Sequence, residues 1–430
     1  MKLILFANTD WYLYNFRRSL ALAAKEAGHE VVLVSPAGPY AQRLLELGLR
    51  WIAAPMERRS LNPLRELALL AWLWRLVRAE RADIVHGFTI KCAVYGALAA
   101  RLAGAASVNA VAGMGYVFIS DARLARALRP VVRALMRVAF GGRKARLVLQ
   151  NADDVALFEK SGIVTASQIR LIPGSGVDCE RFVPPAARRA DPRRGPLRVV
   201  LAARMLWDKG IREFVEAARI LKLEGRDVRF VLAGEPDAGN PAAIPAQVLV
   251  DWRNVGLANW LGHVDDMPGL LAGADIVALP SYREGLPKSL IEAAACGRPL
   301  VATDVPGCRE VVTDGVDGLV VPARDAAALA RAIGRLEDDP ALAARLGEAA
   351  RAKALAEYDE RCIVAHTLEV YRELVGDLRA SRGIVERGEL DEAGRNSRLV
   401  VWRRRRRVLE GRSLRVFRLL SSYIEPLVGD

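Results

Sequence analysis

The sequence predicts an α/β protein built from two doubly wound units in series, each a parallel sheet covered by helices. Three observations carry that prediction. Short apolar, β-branched runs recur along the chain and alternate with longer stretches whose apolar residues return at helical spacing. The stretch PPAARRADPRRGP at 184–196, rich in proline and charge, divides this pattern in two. At 430 residues and 52% apolar composition, the chain is long enough for more than one core.

The first unit opens with a strand, KLILFA (2–7), then the helix FRRSLALAAKEAG (16–28) and the strand HEVVLVS (29–35). RWIAA (50–54), ADIVHG (82–87), ASVNAV (106–111), RLVLQN (146–151) and IRLIPG (169–174) read as further strands, with helical segments between them. Strands separated by helices of this length imply a parallel sheet with both faces buried. The second unit begins at LRVVLAARM (197–205) and repeats the alternation through RFVLAG, NWLG and DIVALPS, with helices from Ala326 closing it. The expected boundaries are 1–183 for the first domain, 184–196 for a linker and 197–356 for the second domain. A helix at 357–378 is expected to rejoin the first domain, leaving a basic tail at 379–430. In doubly wound sheets ligands bind at the carboxyl ends of the strands, so two facing sheets would frame a cleft.

The segment SYREGLPKSLIEAAACGRPLV, from Ser281, holds two carboxylates, Glu284 and Glu292, around a Gly-Leu-Pro turn. Pro287 suits the first position of a helix, Gly297 the residue past its end, and Pro299 blocks continuation. The helix therefore covers Pro287 to Cys296, with a buried strand, RPLVAT, after it. Glu284 then lies on the preceding loop and Glu292 on the helix. Gly285 and Leu286 present N–H groups at the helix N-terminus, where the dipole favours an anion. Carboxylates on either side of an anion-binding turn suit a ligand whose anionic centre carries hydroxyl-rich groups at both ends.

Several function classes are disfavoured. No GxGxxG follows the first strand, where FANTDWYLYNF stands instead, which argues against a nicotinamide oxidoreductase. The five cysteines (Cys92, Cys179, Cys296, Cys308, Cys362) form no metal-like spacing and read as reduced thiols. MKLILFANTD is too short an apolar run for a signal peptide. LALLAWLWRLV (67–77), cut by Arg75, is too short to span a bilayer.

The net charge of +13 has two local sources. Between Asp121 and Asp153 there are eight basic residues and no acid, and Arg123, Arg126, Arg129, Arg133 and Arg137 recur at steps of three and four. They share one side of a helix, opposite Leu124, Leu128, Val131, Leu135 and Val138. Such a stripe is either the solvated face of a core-packed helix or a surface lying against anionic headgroups. No nucleic-acid motif accompanies it. The tail carries 13 arginines against 7 acids, including VVWRRRRRV at 400–408, and reads either as a disordered segment or as a helix from Ser413 to Tyr423.

Arg204 and Lys209, in ARMLWDKG, stand at the carboxyl end of the second unit's first strand, where two cations can neutralise a diphosphate. Each contact is worth about 4 kcal/mol of gross Coulomb energy at an effective dielectric of 20, part of which desolvation offsets. Together with PSYREGLPKSLIEAAACGRPLVATDVPGCREVV and DGVDGLVVP, this pattern resembles glycosyltransferase family 4 over roughly residues 1–375. Within the family, ARMLWDKGIREF, IPGSGVD and NPLRELALL look most like bacterial N-acetylgalactosaminyltransferases that act on undecaprenyl-diphosphate-linked bacillosamine.

The resemblance implies a GT-B fold, two facing Rossmann-like domains, and retaining transfer from a nucleotide-diphosphate sugar, with UDP the expected nucleotide. Arg204 and Lys209 would hold the donor diphosphate, and the Gly285 and Leu286 N–H groups its phosphate or sugar. Glu284 would bind sugar hydroxyls and support charge at the anomeric carbon; Glu292 would accept from the ribose. Backbone at Gly262-His263-Val264 would read the base. The expected catalytic set is thus Glu284, Arg204 and Lys209. No Asp-x-Asp stands at a strand end, so no cofactor and no obligatory metal are expected.

The implied acceptor is a polyprenyl-diphosphate-linked saccharide, met by Arg17, Arg18 or Lys91. The family histidine near the donor is replaced by Ala112 in VNAVAGMGY. His86, His29 and His366 read as structural. The setting implied is cytoplasmic, peripheral at the inner face of the plasma membrane, in cell-envelope polysaccharide assembly. A sugar-nucleotide 2-epimerase of the same fold and a non-catalytic sugar-nucleotide-binding protein are the competing readings.

Overall fold

The structure is a computed structural model that describes residues 1–388 except 58–59, 61, 112–122, 186–194 and 238; for 123–128, 131 and 377–388 it describes the backbone alone. Most of the expected linker and the whole tail from 389 lie outside the described residues, as does Ala112.

The first sheet contains β1 (Lys2–Phe6), β2 (Glu30–Ser35), β3 (Arg50–Ala53), β4 (Ile84–Phe88), β5 (Ala106–Ala110), β6 (Ala145–Leu149) and β7 (Ile169–Leu171). Its order is β3-β2-β1-β4-β5-β6-β7. The second contains β8 (Leu197–Ala202), β9 (Val228–Ala233), β10 (Asn259–Trp260), β11 (Ile276–Leu279), β12 (Leu300–Thr303) and β13 (Gly318–Val321), in the order β10-β9-β8-β11-β12-β13. Both begin 3-2-1-4-5-6, the Rossmann order, in which the strand sequence reverses direction beside the first strand. That places the switch points between β1 and β4 and between β8 and β11. Parallel register is regular: Leu3 pairs with Val31 and Ile84, and Val199 with Phe230 and Ile276.

Helices α1 (Asp10–Glu26), α2 (Ala41–Glu46), α3 (Pro63–Glu80), α4 (Ile90–Ala103), α5 (Arg123–Phe140) and α6 (Ala152–Ser161) connect the first set of strands. The second set carries α7 (Ile211–Leu223), α8 (Ala246–Asn254), α9 (Met267–Ala272), α10 (Lys288–Ala295), α11 (Cys308–Val311), α12 (Ala326–Asp338), α13 (Pro340–Lys353) and α14 (Glu360–Gly388). Local chemistry sets their ends. Asn62 accepts from the Leu64 and Arg65 N–H groups with Pro63 at the first helical position, so α3 starts there. Asn151 caps α6 by accepting from Asp154 N–H.

Contacts divide the chain into two compact units, one of Met1–Asn109, Val138–Arg146 and Glu369 onward, the other of Ala110–Arg137 and Leu147–Leu368. In the first, Phe6, Val34, Leu73 and Cys92 form a core under α3 and α4. In the second, Phe214 and Phe230 meet edge to face at 4.8 Å, and Leu290, Leu329, Ile333 and Leu346 are fully buried in the same core. Each such side chain contributes about 1.5–3 kcal/mol relative to exposure, which fixes the sheet ends that carry the site.

Three expectations need correction. Pro287 caps α10 from outside, with φ −75° and ψ 105°, and does not occupy its first turn. The residue before a helix needs extended backbone, and proline's fixed φ allows that equally well. The last helix continues to Gly388, beyond the expected end at 378, because no proline interrupts RASRGIVERG. Val138, expected on the apolar side of α5, is 41% exposed, whereas Met136, Ala139 and Phe140 are buried. Those three lie at i, i+3 and i+4 and define a buried face rotated from the predicted one. Among the described residues no helix is long and apolar enough to cross a membrane.

Candidate functional site

The switch point of the second sheet is flanked by two loops, one after β8 and one after β11. The first runs through Arg204 to Gly210. Met205 and Leu206 are buried and anchor it, with Met205 N–H donating to Glu235 C=O at 2.9 Å. A single 3₁₀ turn, Trp207–Lys209, ends at Gly210, whose φ of +70° starts α7. Glycine is required here twice over: a β-carbon would sit 1.9 Å from Pro280 C=O.

The second loop, Pro280 to Pro287, is held to the first by its own backbone. Asp208 C=O accepts from Tyr282 N–H at 2.9 Å and from Ser281 Oγ at 3.1 Å. Thr303 Oγ1 donates to Ser281 C=O, and Tyr282 OH donates to the Glu213 carboxylate at 2.8 Å. This joining brings Lys209 Nζ to 2.6 Å from Glu284 Oε1, with the two side chains 14% and 13% exposed. Partial burial strengthens the pair and leaves one edge of it open to a ligand.

Further contacts fix the turn that follows. Asn151 Nδ2 donates to Gly285 C=O at 2.7 Å and to Asp154 Oδ2 at 3.0 Å. Arg283 Nη2 donates to Asp154 Oδ1 at 2.8 Å. Gly307, at φ +81°, lets its backbone pass so close to Glu284 and Gly285 that a β-carbon would lie 2.7 Å from both carbonyl oxygens. The Gly285 carbonyl is engaged, whereas the Gly285 and Leu286 N–H groups have no hydrogen-bond partner among the described residues. Both precede the N-terminus of α10, which has no side-chain cap. The turn is therefore a preformed pair of donors at a positive dipole end.

Replacing Asn151 by Ala should lower stability by about 1–3 kcal/mol, because the Gly285 carbonyl loses its partner. Anion binding at the turn should weaken with it, and unchanged anion binding would mean the turn does not depend on this bond.

Glu292 stands one turn into α10, 13% exposed, with Lys288 Nζ 3.9 Å away as its ion pair. Burial pushes its carboxyl above the usual range, with Lys288 and then Arg181 opposing the shift. A carboxylate kept buried against this cost is unfavourable for the ligand-free fold. Glu292→Gln is expected to raise the melting temperature slightly. A fall in melting temperature would mark Glu292 as a structural ion-pair partner instead.

Arg204 lies at the outer edge of the first loop, 54% exposed, with Nη1 2.7 Å from Asp237 Oδ2. An anion bound there would require Arg204 to exchange or share that partner. Gly262, at φ +71°, accepts from Gly234 N–H at 2.7 Å, which pins the 262–264 segment beyond β10 to the end of β9. The His263 side chain is exposed, with Nε2 3.3 Å from Asp265, while Val264 packs on the core.

Other expected residues lie elsewhere. Lys91 is tied down in the first unit by Glu66 at 2.7 Å and by the Glu57 carbonyl at 2.9 Å. Arg17 is buried, and Arg18 lies over the Tyr14 ring at 5.1 Å. On α5, Arg133 and Arg137 are exposed, Arg137 Nε donates to Gly162 C=O at 2.9 Å, and Arg129 is half-buried. The side chains of Arg123 and Arg126 lie outside the described residues. Among the described residues no group of three His, Cys, Asp or Glu side chains is placed to hold a metal ion.

Sequence reasoning missed Asn151, Asp154 and Arg283. Asn-x-x-Asp after a strand signals a helix cap. The second bond from Asn151 crosses 134 positions and has no local signature.

Comparison with known proteins gives a consistent result. Residues 196–339 match the model of glycosyl transferases group 1, and residues 15–175 that of the glycosyl transferase 4-like domain. The chain is 30% identical over 373 residues to N,N'-diacetylbacillosaminyl-diphospho-undecaprenol alpha-1,3-N-acetylgalactosaminyltransferase of Campylobacter jejuni, covering 84% of this chain and 96% of that one. It is 27% identical to UDP-Gal:alpha-D-GlcNAc-diphosphoundecaprenol alpha-1,3-galactosyltransferase of Escherichia coli, covering 69% of this chain and 77% of that one. Among solved structures, a glycosyltransferase from Rickettsia africae superposes with a TM-score of 0.70 at 19% identity, covering 87% of this chain and 98% of that chain.

Proposed function

The chain belongs to the family 4 glycosyltransferases, and from that premise we propose that it transfers a hexosyl or N-acetylhexosaminyl unit from a UDP-sugar to a polyprenyl-diphosphate-linked saccharide. The observation that carries the donor half is the Lys209–Glu284 pair at 2.6 Å beside a turn with two unpartnered N–H groups. Departure of the leaving group concentrates negative charge on the diphosphate. Lys209 and the Gly285 and Leu286 N–H groups are donors already in position to stabilise it, and Arg204 joins them by exchanging or sharing Asp237. Glu284, already hydrogen-bonded to Lys209, can accept from sugar hydroxyls on its other oxygen and would offset positive charge developing at the anomeric carbon. Glu292 accepts from the ribose, and the backbone at 262–264 meets the base. The expected stereochemical outcome is retention, with the acceptor hydroxyl attacking the face the nucleotide leaves.

The acceptor half is supported by the relatives, whose names specify diphospho-undecaprenol-linked acceptors, and UDP by the galactosyltransferase among them. The exposed arginines of α5 fit attachment to anionic headgroups, which would place the enzyme peripherally on the inner face of the plasma membrane. Replacing Arg123, Arg126, Arg129, Arg133 and Arg137 by Gln should weaken cosedimentation with phosphatidylglycerol vesicles. Unchanged cosedimentation would return this helix to a solvated face. For the reaction itself, radiolabelled UDP-sugars are incubated with a polyprenyl-diphosphate-sugar extract. Label entering the lipid phase supports transfer, an altered free sugar nucleotide indicates epimerisation, and binding without turnover indicates a non-catalytic role.

A further inference from the structure

The first sheet has its own switch point, between β1 and β4. Arg17, on α1, is only 6% exposed yet has no carboxylate partner among the described residues. Its Nη2 donates to Tyr12 OH at 3.1 Å, and its guanidinium lies over the Phe88 ring at 4.4 Å. Its Nε–H is buried and unpaired. Asp10, the acid in the first turn of α1, is already engaged by the Trp11, Tyr40 and Ala41 N–H groups.

The same aromatic ring also packs against His86, whose ring centroid is 4.0 Å from that of Phe88. His86 is 2% exposed, and its Nδ1 lies 2.6 Å from Tyr371 OH. Tyr371 is fully buried and its hydroxyl has no other partner among the described residues; donation to Nδ1 is the assigned direction, because the reverse would leave both the Tyr371 O–H and the Nε2 lone pair buried and unmet. Burial, aided by the charge of Arg17, keeps the imidazole neutral. The ring proton of the neutral tautomer therefore stands on Nε2, which is also buried and unpaired. Two N–H donors, one of them cationic, thus adjoin Phe88 at the end of β4 with no acceptor to meet them among the described residues. A buried guanidinium without a counter-charge is unfavourable, and a donor-only lining selects an acceptor-only ligand.

We propose that Arg17 and His86 form a seat for a phosphate oxyanion of the acceptor diphosphate, with Tyr371 as the positioning residue that fixes the imidazole tautomer. This rests on the transfer reading above. It leaves out Lys91, whose ammonium is occupied by Glu66 and the Glu57 and Ser60 carbonyls.

The test is calorimetric titration of inorganic pyrophosphate into the full chain already saturated with UDP. Binding in addition to UDP is expected, weakened at least ten-fold in Arg17→Gln and about three-fold in Tyr371→Phe. Pyrophosphate that only competes with UDP, or fails to bind, overturns the seat. Because Arg17 is buried and its loss bears on folding, the wild-type protein is also labelled with ¹⁵N-histidine; it has four histidines, and His86→Gln assigns the relevant signal. A downfield shift of the His86 Nε2–H resonance on adding pyrophosphate supports the seat, and an unmoved resonance removes it. Failure of lipid transfer with this response intact strikes the transfer reading and leaves the seat. Transfer without the response strikes the seat alone.

Discussion

Replacing Lys209 by Ala is expected to lower turnover by about 10²–10³-fold, the usual effect of removing one donor from a developing oxyanion. The structure adds a second effect. Glu284 is 13% exposed and Lys209 is its ion-pair partner, so truncation leaves a poorly hydrated carboxylate without a counter-charge. Loss of a fully buried partner costs about 3–5 kcal/mol, and the open edge here should reduce that to about 1–2 kcal/mol. The two effects can be separated. Combining Lys209→Ala with Glu284→Gln should restore most of the melting temperature and none of the turnover. Recovery of activity in the double variant would mean that Lys209 acts only by neutralising Glu284. Near-normal turnover in Lys209→Ala would remove the diphosphate assignment.

Gly210→Ala should produce a large structural loss for a single added methyl group. Its φ of +70° costs an L-residue about 1–2 kcal/mol by itself. The added β-carbon would also lie 1.9 Å from Pro280 C=O, so either the Lys209 loop or the Glu284 loop must move. A combined loss of at least about 3 kcal/mol is expected, or roughly 6–12 °C in melting temperature for a unit of this size. Donor affinity should fall in parallel because the two loops separate. Gly225→Ala is the control: its φ is +75° but nothing lies within 4 Å of the added carbon. Equal losses at both positions would show that backbone conformation, not the junction of the loops, sets the effect.

The alternation of strands and helices was legible because both sheets are parallel and buried on both faces. Their strands therefore appear as uninterrupted apolar runs, such as KLILF and EVVLVS. The donor turn was legible because Glu284, Gly285, Leu286 and Glu292 are neighbours in sequence, and Gly297 marks the end of their helix. What supports the turn was not legible. Asn151, Gly307 and Asp208 reach it from distant segments, and two of them act through backbone groups that any residue carries. The face of α5 was misjudged at Val138 because an arginine stripe fixes only the polar side. The apolar residues that become buried depend on what packs there, and Met136, Ala139 and Phe140 are the ones that do. Arg17 and Arg18 are adjacent and looked equivalent in sequence, yet one is buried over Phe88 and the other lies over Tyr14. Helical rotation of about 100° per residue separates them.

The most direct test is the structure of the uridine diphosphate complex. The account predicts the β-phosphate within hydrogen-bonding distance of Lys209 Nζ and of the Gly285 and Leu286 N–H groups, with the ribose on Glu292. Uridine diphosphate bound elsewhere, with the Lys209–Glu284 pair and the turn untouched, would contradict it.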